Sequence, residues 1–374
     1  MIYFHIPFCK QKCSYCNFHF STSLKVKDEM VAAMKKEIGL RKDELAQKPL
    51  QSLYFGGGTP SLLTVNELNS ILEEVATYFA FDPSIEITLE ANPDDLGKDF
   101  LRDLAQTPFN RLSIGTQSFF NEDLRLMNRA HNAGEAEDSI KMAQDLGFEN
   151  ISIDLIYGAP TSNLEIWQKN LNKTIELQVP HVSSYALTIE PKTALSSWIA
   201  RGKISAPKEA VQQEEFFYMS AFLKENGFDH YEISNFAKPG FHSRHNSAYW
   251  KSCEYLGIGP SAHSYNGKRE RSWNVANNQK YLSALAQDIL PKETEILREN
   301  DQFNEMIMIG LRTAWGVDLA ALEHSFGPTV RAHLQKEMKK KIAAGTLALE
   351  NGHLYIPERH WFLADGIAAD LFIL

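Results

Sequence analysis

The chain has 374 residues, of which 44% are hydrophobic and 23% are charged, and its formal net charge is −9 at pH 7. This length predicts two domains, or one barrel-sized domain with an appendage, and the composition is typical of a soluble globular protein. The acidic balance argues against a general nucleic-acid-binding protein, and no apolar run is long enough to span a membrane.

The first two thirds of the sequence alternate short strands with amphipathic helices. Strands are predicted at 2–5, 50–55, 84–91, 111–115, 150–158 and 182–190. Helices are predicted at 25–47, at 64–79 with Thr64 as N-cap, near 98–105, near 121–127 and 134–146, and at 164–177 and 208–226. Six successive strand–helix units indicate a parallel sheet with right-handed crossovers.

Polar clusters follow the ends of all six strands, among them "GGGTP" after the second, "EANP" after the third and "TQSF" after the fourth. In a β/α barrel such clusters converge on the mouth at the carboxyl ends of the strands. A doubly wound sheet would concentrate them at one switch point instead. The distribution therefore favours a closed or partly closed barrel.

After Ser234 the alternation stops, and a stretch rich in Gly, His and aromatic residues predicts loops and short strands. From Arg298 the pattern becomes helical, and a hairpin is predicted around Asn351-Gly352 before a final helix. We therefore predict an α/β fold, a partial (β/α)6 TIM-like barrel with a small C-terminal α+β, winged-helix-like domain. The predicted parts are 1–234, a connecting region at 235–297, and 298–374.

Three of the four cysteines, Cys9, Cys13 and Cys16, lie within eight positions. A disulfide is not expected, because the low cysteine content indicates a reducing, cytoplasmic location. A structural zinc ion would need a fourth ligand, which His5 or His19 could supply. A [4Fe–4S] cluster held by three thiolates would instead leave one iron open to a small molecule. The residues alone leave both metal sites open.

The Cys-x3-Cys-x2-Cys spacing resembles the radical S-adenosylmethionine (SAM) superfamily. That resemblance implies that the open iron chelates SAM and that a cluster electron cleaves the sulfonium C–S bond, releasing a 5′-deoxyadenosyl radical. The blocks "YFHIPFCKQKCSYC", "YFGGGTPS", "EANPDDL", "RLSIGTQSF" and "IDLIYGAP" resemble its coproporphyrinogen III dehydrogenase-like group along essentially the whole chain. The resemblance assigns the cluster to Cys9, Cys13 and Cys16, and SAM to Tyr3, Gly57, Gly58, Thr59, Glu90, Gln117, Arg129 and Asp154.

Within this group, the dehydrogenase has a further cysteine two positions past the third, and an N-terminal extension. Here Phe18 occupies that position and the chain begins almost directly on the first strand. The segment "HNSAYW" resembles the HNxxYW motif of the HemW family of heme chaperones. That resemblance implies a heme site at His245, Asn246, Tyr249 and Trp250.

The resemblance to the heme chaperones also implies that the protein passes heme to acceptor proteins of respiratory metabolism, including membrane-associated ones. The protein itself would not be an integral membrane protein. Coproporphyrinogen would not be oxidised. Two alternatives remain: a radical SAM oxidoreductase of the oxygen-independent coproporphyrinogen III oxidase type, and a zinc-stabilised binding protein without radical chemistry.

The residues of "HNSAYW" suit heme, because a neutral imidazole can ligate iron and aromatic faces can cover a porphyrin. Nearby Arg244 and Lys251 could meet the propionates. The alternative is a core histidine beside packing aromatics. We expect Cys253 to be a buried thiol, and the resemblance places His263 near the SAM pocket.

Overall fold

The computed structural model describes residues 1–46 and 48–374, and its central feature is a nine-stranded sheet. The first six strands are β1 (Ile2–Ile6), β2 (Leu50–Gly57), β3 (Phe81–Ala91), β4 (Arg111–Gln117), β5 (Ile151–Tyr157) and β6 (His181–Ala186). The helices among and after them are α1 (Lys27–Leu40), α2 (Val65–Tyr78), α3 (Lys98–Leu104), α4 (Asn121–Leu126), α5 (Ala133–Asp145), α6 (Leu164–Glu176), α7 (Ala194–Ala200) and α8 (Glu209–Glu225).

The six strands lie side by side in chain order, and each pairs in parallel with the next. A doubly wound sheet would reverse its strand order, so this winding is that of a barrel. Three shorter strands extend the sheet: β7 (Asp229–Glu232), β8 (Asn235–Ala237) and β9 (Leu256–Ile258). Strand β8 pairs antiparallel with β6, and β7 pairs antiparallel with β8. At the other edge of the sheet, β9 pairs in parallel with β1. Among the described residues β7 and β9 do not pair, so the barrel is open, and the predicted partial barrel is confirmed.

The strands and helices form for the reasons that the sequence indicated. Every residue of β4 is buried, as expected for a parallel strand covered on both faces. Helix α2 begins with a capping box: Thr64 Oγ1 accepts from the Glu67 N–H at 3.2 Å, and the Glu67 carboxylate accepts from the Thr64 N–H at 2.7 Å. The predicted N-cap is therefore confirmed.

Several predicted boundaries were wrong. The helix predicted at 25–47 ends at Leu40, and position 47 lies outside the described residues. Helix α7 was not predicted, and β6 ends four residues before position 190. The stretch predicted as loops and short strands, 234–275, also contains α9 (Arg244–Trp250), and α10 (Asn278–Ala286) follows it without having been predicted. Short helices such as α7 and α9 have too few turns for an apolar period to be detected.

The remaining strands form two small antiparallel sheets: β10 (His263–Tyr265), β11 (Glu270–Asn274) and β12 (Lys292–Ile296) in one, and β13 (Val317–Asp318), β14 (Ala348–Glu350) and β15 (His353–Tyr355) in the other. The last helices are α11 (Glu299–Leu311), α12 (Leu319–Ala343) and α13 (Ala364–Ala369), with α12 interrupted at Gly327. Asn351 and Gly352 join β14 to β15 with φ values of 51° and 83°, so the predicted hairpin is confirmed.

A buried polar network ties α1 to β9 and α10. Arg41 is 1% exposed, and its Nη1 donates to the Glu37 carboxylate at 2.9 Å and to the Gly257 carbonyl at 2.8 Å. The Tyr281 hydroxyl donates to the same carboxylate at 2.6 Å. The network therefore holds the stretch after β8 against the barrel.

The predicted domain boundaries at 234 and 297 remain predictions. No helix in the described part of the chain is long and apolar enough to cross a membrane.

Candidate functional site

A cavity of about 550 Å³ opens at the carboxyl ends of the barrel strands. Five of its lining residues come from five different strands or the loops after them: Cys9 follows β1, Gly58 follows β2, Glu90 is the penultimate residue of β3, Gln117 ends β4 and Asp154 lies in β5. The structure therefore brings together polar residues that are far apart in the sequence, as the barrel prediction required.

The three clustered cysteines all line this cavity as half-buried free thiols. Hydrogen bonds hold the loop that carries these cysteines against the end of α4 and the turn after it. The Ser14 N–H donates to the Met127 carbonyl at 3.0 Å, and the Ser14 hydroxyl donates to the Leu126 carbonyl at 2.8 Å. The Asn128 side-chain amide donates to the Lys12 carbonyl at 2.7 Å. The loop is thus held in shape by its own protein contacts.

The two histidines considered as a fourth zinc ligand already have partners in this structure. Within the described ranges, no group of three or more His, Cys, Asp or Glu side chains lies close enough to hold one metal ion. His5 Nε2 is 2.9 Å from the His19 carbonyl oxygen, and His19 Nε2 is 2.7 Å from the Asn278 side-chain oxygen. Both histidines considered as a fourth zinc ligand are therefore already engaged through Nε2. Three thiols facing one cavity match the donor set of a [4Fe–4S] cluster.

Glycine is required at positions 56–58 by the packing of the chain itself. A Cβ on Gly56 would lie 2.8 Å from the Glu90 carboxylate, and one on Gly57 would lie 2.6 Å from the His5 ring. At Gly58 a Cβ would lie 2.5 Å from the Phe8 carbonyl oxygen. Close approach of a ligand is thus not needed to explain these glycines, although Gly57 and Gly58 line the cavity.

Two carboxyl groups face the cavity from β3 and β5, which lie on either side of β4. Burial raises the pKa of Glu90 to about 7, although the Tyr54 hydroxyl donates to it at 2.7 Å. Burial also raises the pKa of Asp154 to about 6, against a weak hydrogen bond of 3.4 Å from Ser113. Both groups can thus donate or accept hydrogen bonds near neutral pH.

Gln117, at the end of β4, has a φ of 63°, a left-handed conformation that is uncommon for its residue type.

Arg129 connects the cysteine loop to the strand ends. Its Nη1 donates to Cys13 Sγ at 3.3 Å, and its Nη2 donates to the Gly115 carbonyl at 2.8 Å and to the Asn92 side-chain oxygen. The Asn92 amide in turn donates to the Thr59 hydroxyl at 3.2 Å. One guanidinium charge is therefore fixed beside a thiol of the triplet.

Of the eight residues predicted to contact SAM, Tyr3 alone does not line this cavity. It lines a second cavity of about 530 Å³ together with Tyr249, Tyr255 and His263. The two cavities share four lining residues: Asn17, Phe18, Gly57 and Glu90. Phe18, where the resembling dehydrogenase has cysteine, is 69% exposed between them.

His245 is fully buried on α9. Its Nδ1 is 2.9 Å from the Ser52 hydroxyl on β2, and its Nε2 is 3.0 Å from the Tyr249 hydroxyl. Its backbone N–H donates to the Glu86 carboxylate at 2.9 Å. Burial lowers the pKa of His245 to about 3, so the imidazole is neutral at physiological pH. In this conformation neither ring nitrogen is free to bind a ligand.

The other predicted residues of the motif have different surroundings. The Asn246 N–H donates to the Ser243 hydroxyl at 3.2 Å, which caps the helix. The Trp250 ring lies 5.7 Å from the Arg312 guanidinium. Only Tyr249 lines the second cavity.

Three further expectations met different outcomes. Cys253 is exposed rather than buried, because it follows α9 in a surface turn. Arg244 donates to the Ser84 hydroxyl at 3.2 Å, and the Lys251 ammonium lies 5.1 Å from the Trp315 ring. Neither of these two cations lines the cavities described above.

Sequence reasoning missed two residues of consequence. Asn92 orients Arg129, and its signal was the "EANP" cluster after β3, which was noted without a role for the asparagine. Ser52 holds the His245 ring from 193 positions away, and nothing in the sequence connects the two residues.

Comparison with known proteins matches the profile described as "Radical SAM superfamily" to residues 3–173 and the "HemN C-terminal domain" to residues 297–363. "Heme chaperone HemW" of Lactococcus lactis is 35% identical over 87% of this chain and 84% of its own length. The Bacillus subtilis protein of the same name is 31% identical over 98% of this chain and 97% of its own. The solved structure titled "Coproporphyrinogen III oxidase (HemN) from Escherichia coli is a Radical SAM enzyme" has a TM-score of 0.85 at 23% identity, covering 99% of this chain and 89% of that one. At that identity the likeness shows the fold alone.

Proposed function

Because the chain belongs to the radical SAM superfamily and, within it, to the HemW family, we propose that it is a heme chaperone. It binds a [4Fe–4S] cluster, SAM and heme, and it transfers the heme to acceptor proteins. The observation that carries the proposal is the pair of adjoining cavities. One is lined by Cys9, Cys13 and Cys16, and the other contains Tyr249 of the "HNSAYW" segment.

In the first cavity the three cysteines hold the cluster, and their fastened loop presents them together. When bound, the cluster and SAM supply one-electron reductive chemistry at the sulfonium. Arg129 places a positive charge beside Cys13 and is positioned by Asn92. Glu90 and Asp154 orient SAM through carboxyl groups that can donate or accept hydrogen bonds, together with the other residues assigned to SAM that line this cavity.

The second cavity belongs to the heme. His245, Asn246, Tyr249 and Trp250 form the heme-binding segment, with Tyr249 as the residue that reaches the cavity. The residues shared by the two cavities would place heme directly beside SAM. This arrangement links the radical SAM site to a transfer function without requiring oxidation of a porphyrinogen.

The oxidase alternative is favoured only by the fold that the chain shares with the E. coli enzyme. Phe18 stands against it, because the chain has a bulky apolar side chain where the resembling dehydrogenase has a further cysteine. We also propose that the chaperone works in the cytoplasm and delivers heme to respiratory proteins, including membrane-associated ones.

The test is anaerobic reconstitution of the purified protein with iron and sulfide, followed by separate additions of SAM, heme and coproporphyrinogen III. We expect iron and sulfide bound by the cysteine triplet, a heme Soret band that is lost in His245→Ala with the fold intact, and transfer of heme to a heme-free acceptor. Sustained conversion of coproporphyrinogen III would support the oxidase instead. One zinc ion and no sulfide per chain would rule out both.

A further inference from the structure

The second cavity has the size and lining that a porphyrin requires. Its volume of about 530 Å³ lies within the range of cofactor pockets, roughly 300–1,000 Å³. Aromatic side chains from β1, α9 and the cysteine loop contribute to its walls, and His263 approaches from β10. Flat apolar faces with polar edges are suited to a flat apolar ring with polar substituents.

Tyr249 stands between this cavity and His245. Tyr249 lines the cavity, whereas His245 does not, and the Tyr249 hydroxyl lies 3.0 Å from His245 Nε2. A neutral imidazole has one nitrogen that donates and one that accepts. The phenol is a better donor than the Ser52 hydroxyl, so we assign the Tyr249 O–H as donor to Nε2 and the Nδ1–H as donor to Ser52. The lone pair suited to iron is therefore the one that Tyr249 covers.

We propose that heme enters the second cavity and that its iron takes His245 as axial ligand by displacing the Tyr249 hydroxyl from Nε2. This inference rests on the proposed heme-chaperone function. One iron–nitrogen bond forms and one O–H···N hydrogen bond breaks, so no electron or proton is released.

The displacement makes Tyr249 a gate that sets how readily heme binds and leaves. A covered ligand binds less tightly than a free one by the free energy of the hydrogen bond that must be broken. A chaperone has to release its cargo, and re-formation of the Tyr249–His245 hydrogen bond would favour release. The ligand also stays protected while the cavity is empty.

The chain contains a matched control for this arrangement. His181 lies between Ser152 and Tyr231, with its Nδ1 2.7 Å from the Ser152 hydroxyl and its Nε2 2.8 Å from the Tyr231 hydroxyl. His181 and Tyr231 are buried and Tyr249 is half-buried, and Tyr231 borders a different cavity that shares no lining residue with the cysteine cavity or the second one. Tyr231→Phe thus removes the same kind of hydrogen bond away from the proposed heme site.

The experiment is an anaerobic heme titration of the cluster-reconstituted protein and its variants, followed by Soret absorbance. A hydrogen bond of about 0.5–1.5 kcal/mol must be broken, so Tyr249→Phe should bind heme roughly 2- to 13-fold more tightly. Its spectrum should keep the character of histidine ligation, and Tyr231→Phe should match the wild type. Unchanged or weaker binding in Tyr249→Phe, or a spectrum showing that tyrosinate was the ligand, would overturn the gate.

A second variant tests the location. His263→Trp adds bulk at the edge of the cavity from a side chain that is exposed, and should weaken heme binding by at least about tenfold. Unchanged affinity in this variant would exclude the second cavity. If the wild type itself binds no heme, the proposed function fails. If it binds heme normally while Tyr249→Phe and His263→Trp bind like the wild type, this inference alone fails.

Discussion

The contact between Arg129 and Cys13 predicts how one side chain sets the reduction potential of the cluster. The guanidinium donates to Cys13 Sγ at 3.3 Å, and reduction adds negative charge to the site that it faces. A hydrogen bond to a charged group contributes about 1.5–3 kcal/mol. Since 1.4 kcal/mol corresponds to about 59 mV for one electron, removing the charge can lower the potential by at most roughly 60–130 mV. We expect Arg129→Gln to lower it by about half that range, because the oxidised cluster also benefits from the contact.

The measurement is a potentiometric titration of the reconstituted cluster without SAM, followed by electron paramagnetic resonance. Arg129→Lys keeps a positive charge and should recover part of the potential, although it cannot contact Cys13, Gly115 and Asn92 together. Arg125→Gln removes an exposed charge on α4, and it should leave the potential unchanged. A potential in Arg129→Gln that equals or exceeds that of the wild type would refute the electrostatic reasoning, as would an equal drop in Arg125→Gln.

Two further predictions concern stability, and a third concerns cluster incorporation. Burial alone would raise the pKa of Glu358, but hydrogen bonds, led by the one from His230, lower the pKa to about 2. The stabilisation from these hydrogen bonds is therefore fully present above the unfolded pKa of 4.5, and it is lost as the pH falls towards 2. Glu358→Gln should therefore reduce the free energy of unfolding by about 1 kcal/mol at pH 7, discounted for partial exposure, and the difference should vanish near pH 2 in denaturant titrations. Arg41→Met leaves the buried Glu37 carboxylate without its cation and should cost about 3–5 kcal/mol by the same assay; a loss below 1 kcal/mol would contradict this. Ser14→Ala removes one fastening of the cysteine loop and should slow cluster incorporation without lowering the melting temperature by more than a few degrees; an unchanged rate of sulfide uptake would count against it.

The barrel could be predicted because its signals are local and repeated. Buried parallel strands are continuous apolar runs, and α2 carries a capping box that is visible in the sequence. The connecting region could not be predicted in the same way. Helix α9 has seven residues, and its buried members contact β2 rather than repeating along an apolar face. Tertiary contacts, rather than local periodicity, stabilise so short a helix.

The cysteine cavity was accessible from the sequence because spacing and strand ends both pointed to it. The reason for glycine at positions 56–58 could not be predicted from the sequence, because the atoms that exclude a Cβ there belong to His5, Phe8 and Glu90 on other segments. The same holds for Arg129, whose contact with a cysteine 116 positions away depends on the fastening of two loops. Spacing identifies which residues a site contains, whereas their partners depend on the folded chain.

His245 shows how far a motif can be interpreted before its surroundings are known. As a sequence, "HNSAYW" fits both a heme ligand and a core histidine, and the structure shows a histidine that is buried and satisfied at both nitrogens. These two interpretations are compatible once the partner of Nε2 is identified, because Tyr249 also lines a cavity. His181 has the same two kinds of partner, but its tyrosine, Tyr231, borders a different cavity that shares no lining residue with the second one. What distinguishes His245 is that its partner Tyr249 borders the cavity adjoining the cysteine triplet, and the four-residue spacing between His245 and Tyr249 places both on one face of α9.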